Sequence, residues 1–270
     1  VTRGGRRLVA AQVALSVPLL LTAWIVAVNL HRLASMPTGF RSDGVIVASL
    51  TTQSSSASAA DPVAYLTQLV SALRAGPGIE AAALSWSEPL SFGADFRRRP
   101  ITADDGLAGA RSFVVQVSPG AFETLSVPIV AGRDFAWTDD RRQRDVAVLS
   151  EGLAGALFAG ANPIGRRVRL EGQPDRLLDV IGLVPDARIA EPHAMNQLFL
   201  YTALQQEPSP ALALRPPYLW SNSPEPPNTV EAQARRTIVA LGRHDIVGAH
   251  PGIHPPKHTS ALAIRARRAS

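Results

Sequence analysis

Residues 45–86 read VIVASLTTQSSSASAADPVAYLTQLVSALRAGPGIEAAALSW, and their reading decides the fold class. Val45 to Leu50 is a β-branched run opened by Asp43-Gly44 and predicts a strand. Ser54 to Ala60 is small and polar, a loop. Asp61-Pro62 supplies an N-cap with proline at the first helical position. Val63, Leu66, Leu69, Val70 and Leu73 follow at three-to-four spacing, which puts them on one helical face. Gly76-Pro77-Gly78 stops that helix, and Ile79 to Trp86 predicts a second strand. Strand, amphipathic helix and strand make a β-α-β unit, and the expected class is α+β.

Toward the N-terminus, Leu8 to Leu30 (LVAAQVALSVPLLLTAWIVAVNL) runs 23 residues without a charge. As a helix it spans ~34 Å, enough for a hydrocarbon core of ~30 Å. It is too long for the apolar region of a cleaved signal peptide, so a transmembrane helix is expected. Pro18 is tolerated in such a helix. Arg3, Arg6 and Arg7 precede it, and Arg32 and Arg41 follow it, which favours a cytoplasmic N-terminus and an extracytoplasmic remainder. Gln12 and Ser16 lie one turn apart and could hydrogen-bond a neighbouring helix.

Toward the C-terminus, strands are expected at 111–117, 145–149, 167–170, 177–184 and 197–201. Short helices are expected after Ser118-Pro119 and after the cap Ser150. Ala131-Gly132-Arg133-Asp134 reads as a turn. Gln205 to Pro227 holds seven prolines and reads as a linker or irregular loop, followed by a last helix from Val230 to Leu241. Residues 248–270 read as a disordered tail.

The formal charge is +5, yet Lys257 is the single lysine among 27 basic residues, and the arginines are interleaved with acids as in Asp139-Asp140-Arg141-Arg142-Gln143-Arg144-Asp145. A solvated mixed face explains this better than a nucleic-acid surface, so no nucleic-acid partner is expected. The absence of cysteine excludes disulfides, thiolate metal sites and a cysteine nucleophile. There is no Gly-Lys pair and hence no Walker loop, so any ATP hydrolysis belongs to another chain. His250, His254 and His258 recur every fourth residue, but Pro251, Pro255 and Pro256 break the helix that would align them on a metal. Asp104-Asp105 and Asp139-Asp140 read as surface turn residues rather than acid–base pairs. Gly132-Arg133-Asp134-Phe135 reads as a structural or partner-facing loop: glycine for a positive φ, phenylalanine as an anchor, Arg133 and Asp134 as an ion pair. No catalytic residue, metal ligand or cofactor is assigned.

Several short motifs occur in one order: PTGFRSDGV at 37–45, PGIEAAA at 77–83, VSPGAFETLSVP at 117–128, GRDF at 132–135, NPIGRRV at 162–168 and VIGLVPDAR at 180–188. In this order they resemble the MacB/FtsX-type ABC transporter permeases, in particular the large acidobacterial variety. The resemblance implies a basic cytoplasmic segment at 1–7, an inner-membrane helix at 8–30 and a MacB-like periplasmic core domain at 41–247. Within that domain it implies a porter-like half, 41–90 plus 217–247, around an inserted mainly-β lobe, 91–216. It implies a non-enzymatic role in export or mechanotransmission. The implied partners are a cytoplasmic ABC ATPase subunit, a periplasmic adaptor or other envelope protein, membrane lipid, and a second copy or another permease half. Residues 250–270 match nothing in the family pattern, which implies a chain truncated relative to it. Two rival readings are a membrane-tethered hydrolase using Asp104, Asp105 or a histidine, and a ligand-sensing domain with an apolar cavity between its lobes.

Overall fold

The computed structural model describes residues 3–34, 44–51, 62–86, 98–106, 108–172, 176–187, 197–207, 217–241 and 246–251. The chain divides into two compact units, Val1–Thr38 and Gly39–Ser270.

The first unit is one helix, α1, Arg3–Ala34. Pro18 lies inside it, and the Thr22 hydroxyl donates to the carbonyls of Pro18 and Leu19, both at 2.9 Å. Leu15, Leu19, Leu20, Leu21, Trp24, Ile25 and Val26 are all exposed. Among the described residues no helix is long and apolar enough to cross a membrane.

The second unit opens with the expected β-α-β unit: β1 (Val45–Thr51), α2 (Pro62–Arg74) and β2 (Ala81–Ser85). In α2, Leu66, Leu69, Val70 and Leu73 are buried on one face, each contributing roughly 1.5–3 kcal/mol. The Asp61 cap lies outside the described residues. The chain continues through β3 (Arg98–Ala103), β4 (Gly109–Val117), α3 (Ala121–Thr124), β5 (Ala131–Gly132), β6 (Val146–Ser150), α4 (Glu151–Phe158), β7 (Arg167–Leu170), β8 (Leu177–Val184) and β9 (Phe199–Ala203). It ends with β10 (Tyr218–Asn222), α5 (Pro227–Ala240) and β11 (Ile246–Pro251).

β11, β1, β10 and β2 lie in that order as an antiparallel sheet. β1 and β2 are therefore parallel and separated by β10, the arrangement of a split βαβ fold. The stretch expected as a linker thus holds an inner strand, β10, which pairs with both. Its prolines bracket Tyr218–Asn222 rather than interrupt it, as a strand's hydrogen bonding demands. Residues 248–251, expected to begin a disordered tail, pair with β1, His250 opposite Val47; residues 252–270 lie outside the described ones. Ala131-Gly132, expected as a turn, pairs with Leu183 and Gly182 as β5.

The strands β4, β3, β7, β8, β6 and β9 follow one another, and β9 returns to pair with β4 in parallel, Phe113 opposite Phe199. They form a closed six-stranded barrel. Strand β8 alternates half-buried and buried positions along its whole length. Helix α4, capped by the Ser150 hydroxyl that accepts from the Leu153 N–H, buries Leu153, Leu157 and Phe158 with the barrel-lining Ile101, Leu149, Val168 and Leu178. α2 and α5 cover one face of the four-stranded sheet. The other face shares an aromatic core with the barrel wall, in which Phe122 meets Tyr201 edge-on at 5.0 Å and Trp220 is buried.

Strand β4 belongs to both halves. Its 109–113 segment pairs with β3, and Val117 pairs with Ser85 of β2. The joint is closed by Ser118, whose N–H donates to the Leu84 carbonyl at 2.8 Å and whose hydroxyl accepts from the Leu84 N–H at 2.9 Å.

Candidate functional site

The loop at 131–144 carries the GRDF residues singled out in the sequence. Gly132 has φ +77°, and a Cβ there would stand 2.1 Å from the Ile181 carbonyl oxygen. Only glycine satisfies both the backbone angle and the space. Its partner Gly182 is closed off in the same way, with 2.4 Å to the Arg133 carbonyl oxygen.

The pairing of Arg133 with Asp134 is corrected by the structure. Adjacent residues of an extended segment point to opposite faces. Arg133 reaches forward instead, donating to the two Asp139 carboxylate oxygens at 2.7 and 2.8 Å. The Ala136 N–H adds a third bond to Asp139 at 2.8 Å. Burial alone would raise the Asp139 carboxyl, but these bonds and the guanidinium charge outweigh it and hold the group below the usual carboxylate range. Asp139 is 7% exposed, so it is a buried ion-pair partner and not the surface turn residue expected. Asp134 turns back to accept from the Phe135 N–H at 2.6 Å and the Gly120 N–H at 3.2 Å. Burial dominates there and raises its carboxyl despite these two bonds. Phe135 is buried and stacks on Phe122 at 6.2 Å between centroids.

Beside this loop an open groove of about 600 Å³ brings Gly132 and Arg133 together with Arg144, Ile164, Gly165, Arg167 and Asp179. The Arg144 side chain is 86% exposed and stands 3.7 Å from Asp179. Gly165, in the N-P-I-G turn, has φ +81° and open space where a Cβ would be. The groove is open to solvent and rimmed by arginines, unlike the enclosed apolar cavity that a ligand-sensing domain requires.

Asp104 sits in the β3–β4 turn and forms ion pairs with Arg167 and, at 3.4 Å, with Arg169. Its carboxylate ties β3 to β7 and is not poised as a free base. Asp104 and Asp105 border a second, smaller groove with Arg166 and Arg167. Among the described residues no three His, Asp or Glu side chains are gathered to hold a metal. His250 lies in β11; His254 and His258 lie outside the described residues. On α1, the Ser16 hydroxyl donates to the Gln12 carbonyl at 2.7 Å, within its own helix.

Sequence reasoning named GRDF and NPIGRRV separately and assigned no role to Arg144, Gly165, Arg167 or Asp179. The available signal was the glycine in each motif, since both need a positive φ. Their meeting across β8 is a tertiary fact.

A split βαβ sheet carrying a closed barrel makes this a mixed helix–sheet domain. Residues 21–236 match the family model of the MacB-like periplasmic core domain, and the chain belongs to that family. Three solved structures are similar at low identity. The periplasmic region of MacB from Actinobacillus actinomycetemcomitans is 14% identical, with a TM-score of 0.49 over 82% of this chain and 94% of that one. The extracellular domain of the noncanonic ABC-type transporter YknZ from Gram-positive bacteria is 15% identical, with a TM-score of 0.45 over 76% and 99%. A domain assigned to a permease protein from Porphyromonas gingivalis is 15% identical, with a TM-score of 0.51 over 81% and 96%, a likeness of fold. None of the curated proteins compared matches the chain.

Proposed function

We propose that this chain is the extracytoplasmic domain, with its membrane anchor, of a permease subunit in an ABC-type export or mechanotransmission complex, acting through protein contacts. The observation that carries the reading is the extent of the family match, which begins at residue 21 inside α1 and runs on through the sheet and barrel to residue 236. The anchor is residues 8–30, uncharged throughout, and Leu15, Val17, Leu19, Leu20, Leu21, Trp24, Ile25 and Val26 within it are exposed. A helix apolar on all sides is at home in lipid rather than water. The arginines at 3, 6 and 7 favour a cytoplasmic N-terminus, which puts the domain outside the inner membrane. A partner ATPase subunit then works on the cytoplasmic side, an adaptor or other envelope protein meets the domain outside, and a second copy or permease half completes the complex. The shared strand β4 suits such a role, because a displacement of the barrel reaches the four-stranded sheet through backbone hydrogen bonds.

Membrane fractionation and protease accessibility test this reading. Expressed in a bacterial host, the full chain should stay with membranes through an alkaline carbonate wash and be digested by protease added to spheroplasts. Leu20→Arg with Leu21→Arg should release it, since a charge at the centre of a span costs about 3 kcal/mol or more. A wild-type chain that leaves the membrane in carbonate, or stays protected in spheroplasts, refutes it.

A further inference from the structure

The groove beside the GRDF loop has a composition that selects its occupant. Its polar and glycine lining is Gly132 of β5 and Arg133 just after it, Arg144 ahead of β6, Gly165 ahead of β7, Arg167 within β7, and Asp179 in β8. Three guanidinium groups face one lining carboxylate. The three are not equally engaged. Arg133 is held by buried Asp139, and Arg167 by Asp104. Among the described residues the Arg144 side chain has one ion pair, with Asp179 at 3.7 Å, too long for a hydrogen bond, and it is 86% exposed. Arg141 and Arg142 are exposed on the same loop, three and two positions before Arg144. At Gly165 there is open space where a Cβ would stand, so that wall carries no side chain, while Gly132 lies flat against β8. The floor is Ile164, Val180 and Ile181. An extended segment can therefore lie against backbone and aliphatic surface, with carboxylates reaching the guanidinium rim, whose flat fork suits paired bonds to carboxylate.

We propose that this groove is a docking surface for an acidic, extended peptide segment of a partner protein, with Arg144 as its recognition residue and Asp179 as the group that an incoming carboxylate displaces from it. The proposal rests on the reading that the domain works through protein contacts. Its test is a direct binding measurement on the full chain in detergent, so it can fail while the membrane experiment succeeds, and the reverse.

The probe is a fluorescein-labelled peptide of alternating glutamate and glycine, followed by anisotropy. The wild-type chain should bind it, and binding should fall as ionic strength rises. Arg144→Glu should weaken binding about tenfold, because it converts an attraction into a repulsion at a rim position. Asp179→Asn should tighten it severalfold, because it removes the competing carboxylate. Arg235→Glu, on the exposed side of α5, should leave it unchanged. No binding by the wild-type chain overturns the proposal. So does an equal loss in Arg235→Glu, which would mean general charge attraction, and so does weakening by Asp179→Asn. Inorganic phosphate that displaces the peptide at equal charge concentration would assign the groove to a small anion and likewise refute the peptide.

Discussion

Arg133 grips Asp139 through two parallel hydrogen bonds of 2.7 and 2.8 Å across a turn of five intervening residues, and the loop that follows β5 takes its shape from that grip. Asp139 is buried, whereas the Arg133 side chain is half exposed. Asp139→Asn keeps the volume but loses the charge, and should cost about 1–2 kcal/mol, below the figure for a fully buried pair. The pH dependence has a definite sign. The folded-state carboxyl lies below its ordinary value of 3.8, so its contribution is present above that pH and is lost as pH falls through the folded value. Denaturant midpoints of wild type and Asp139→Asn should therefore differ near neutrality and converge below pH 3.8. A constant difference across that range would remove the ion pair as its cause.

Gly132 and Gly165 separate space from backbone strain. Both have positive φ, +77° and +81°, but only Gly132 has a carbonyl oxygen 2.1 Å from where a Cβ would stand. Gly165→Ala should cost about 1 kcal/mol for the left-handed backbone alone. Gly132→Ala should cost about 3 kcal/mol or more, because β5 must leave β8. Equal melting temperatures for the two variants would contradict this.

Ser118 satisfies the Leu84 N–H with its hydroxyl at full burial. Ser118→Ala leaves that donor orphaned where the sheet meets the barrel, at a cost of about 1–3 kcal/mol. Hydrogen exchange should quicken first at Leu84 and its neighbours. Slow exchange at Leu84 in the variant would show that another acceptor replaces the hydroxyl.

Arg176 lies between Asp145, at 2.6 Å, and Glu207, at 3.2 Å, with only 18% of its side chain exposed. Burial opposes its charge, but the two carboxylates outweigh it and raise the guanidinium further. Arg176→Met would leave two carboxylates facing each other without a counter-ion, at about 2–4 kcal/mol. Arg235→Met, which loses an exposed one-turn pair with Glu231, should cost under about 0.5 kcal/mol. Comparable denaturant midpoints would show that the Arg176 cluster is open to water.

Local rules placed most elements well. Pro62 opens α2 and Ser150 caps α4, each read from one residue type at one position. The predicted strands at 167–170 and 177–184 match β7 and β8. β10 escaped notice because five residues between prolines carry too little periodicity to register. Its burial comes from neighbours on both sides, which local spacing does not report. The Arg133–Asp139 pair escaped for a related reason: a separation of six residues in an irregular loop has no rule of its own, unlike helical spacing.

The order of apolar runs, caps and glycines determined by itself that this chain has an N-terminal helix with a 23-residue uncharged run and a mixed α+β domain, and its motifs placed it in its family. Those are short-range properties: propensity, capping and φ preference act within a few residues. Barrel closure through β4 and β9, the burial of Asp139, and the groove formed between the distant Gly132 and Gly165 were decided only by tertiary structure. Each depends on segments far apart in the chain coming into contact, and that follows from the packing of the whole core rather than from any one stretch.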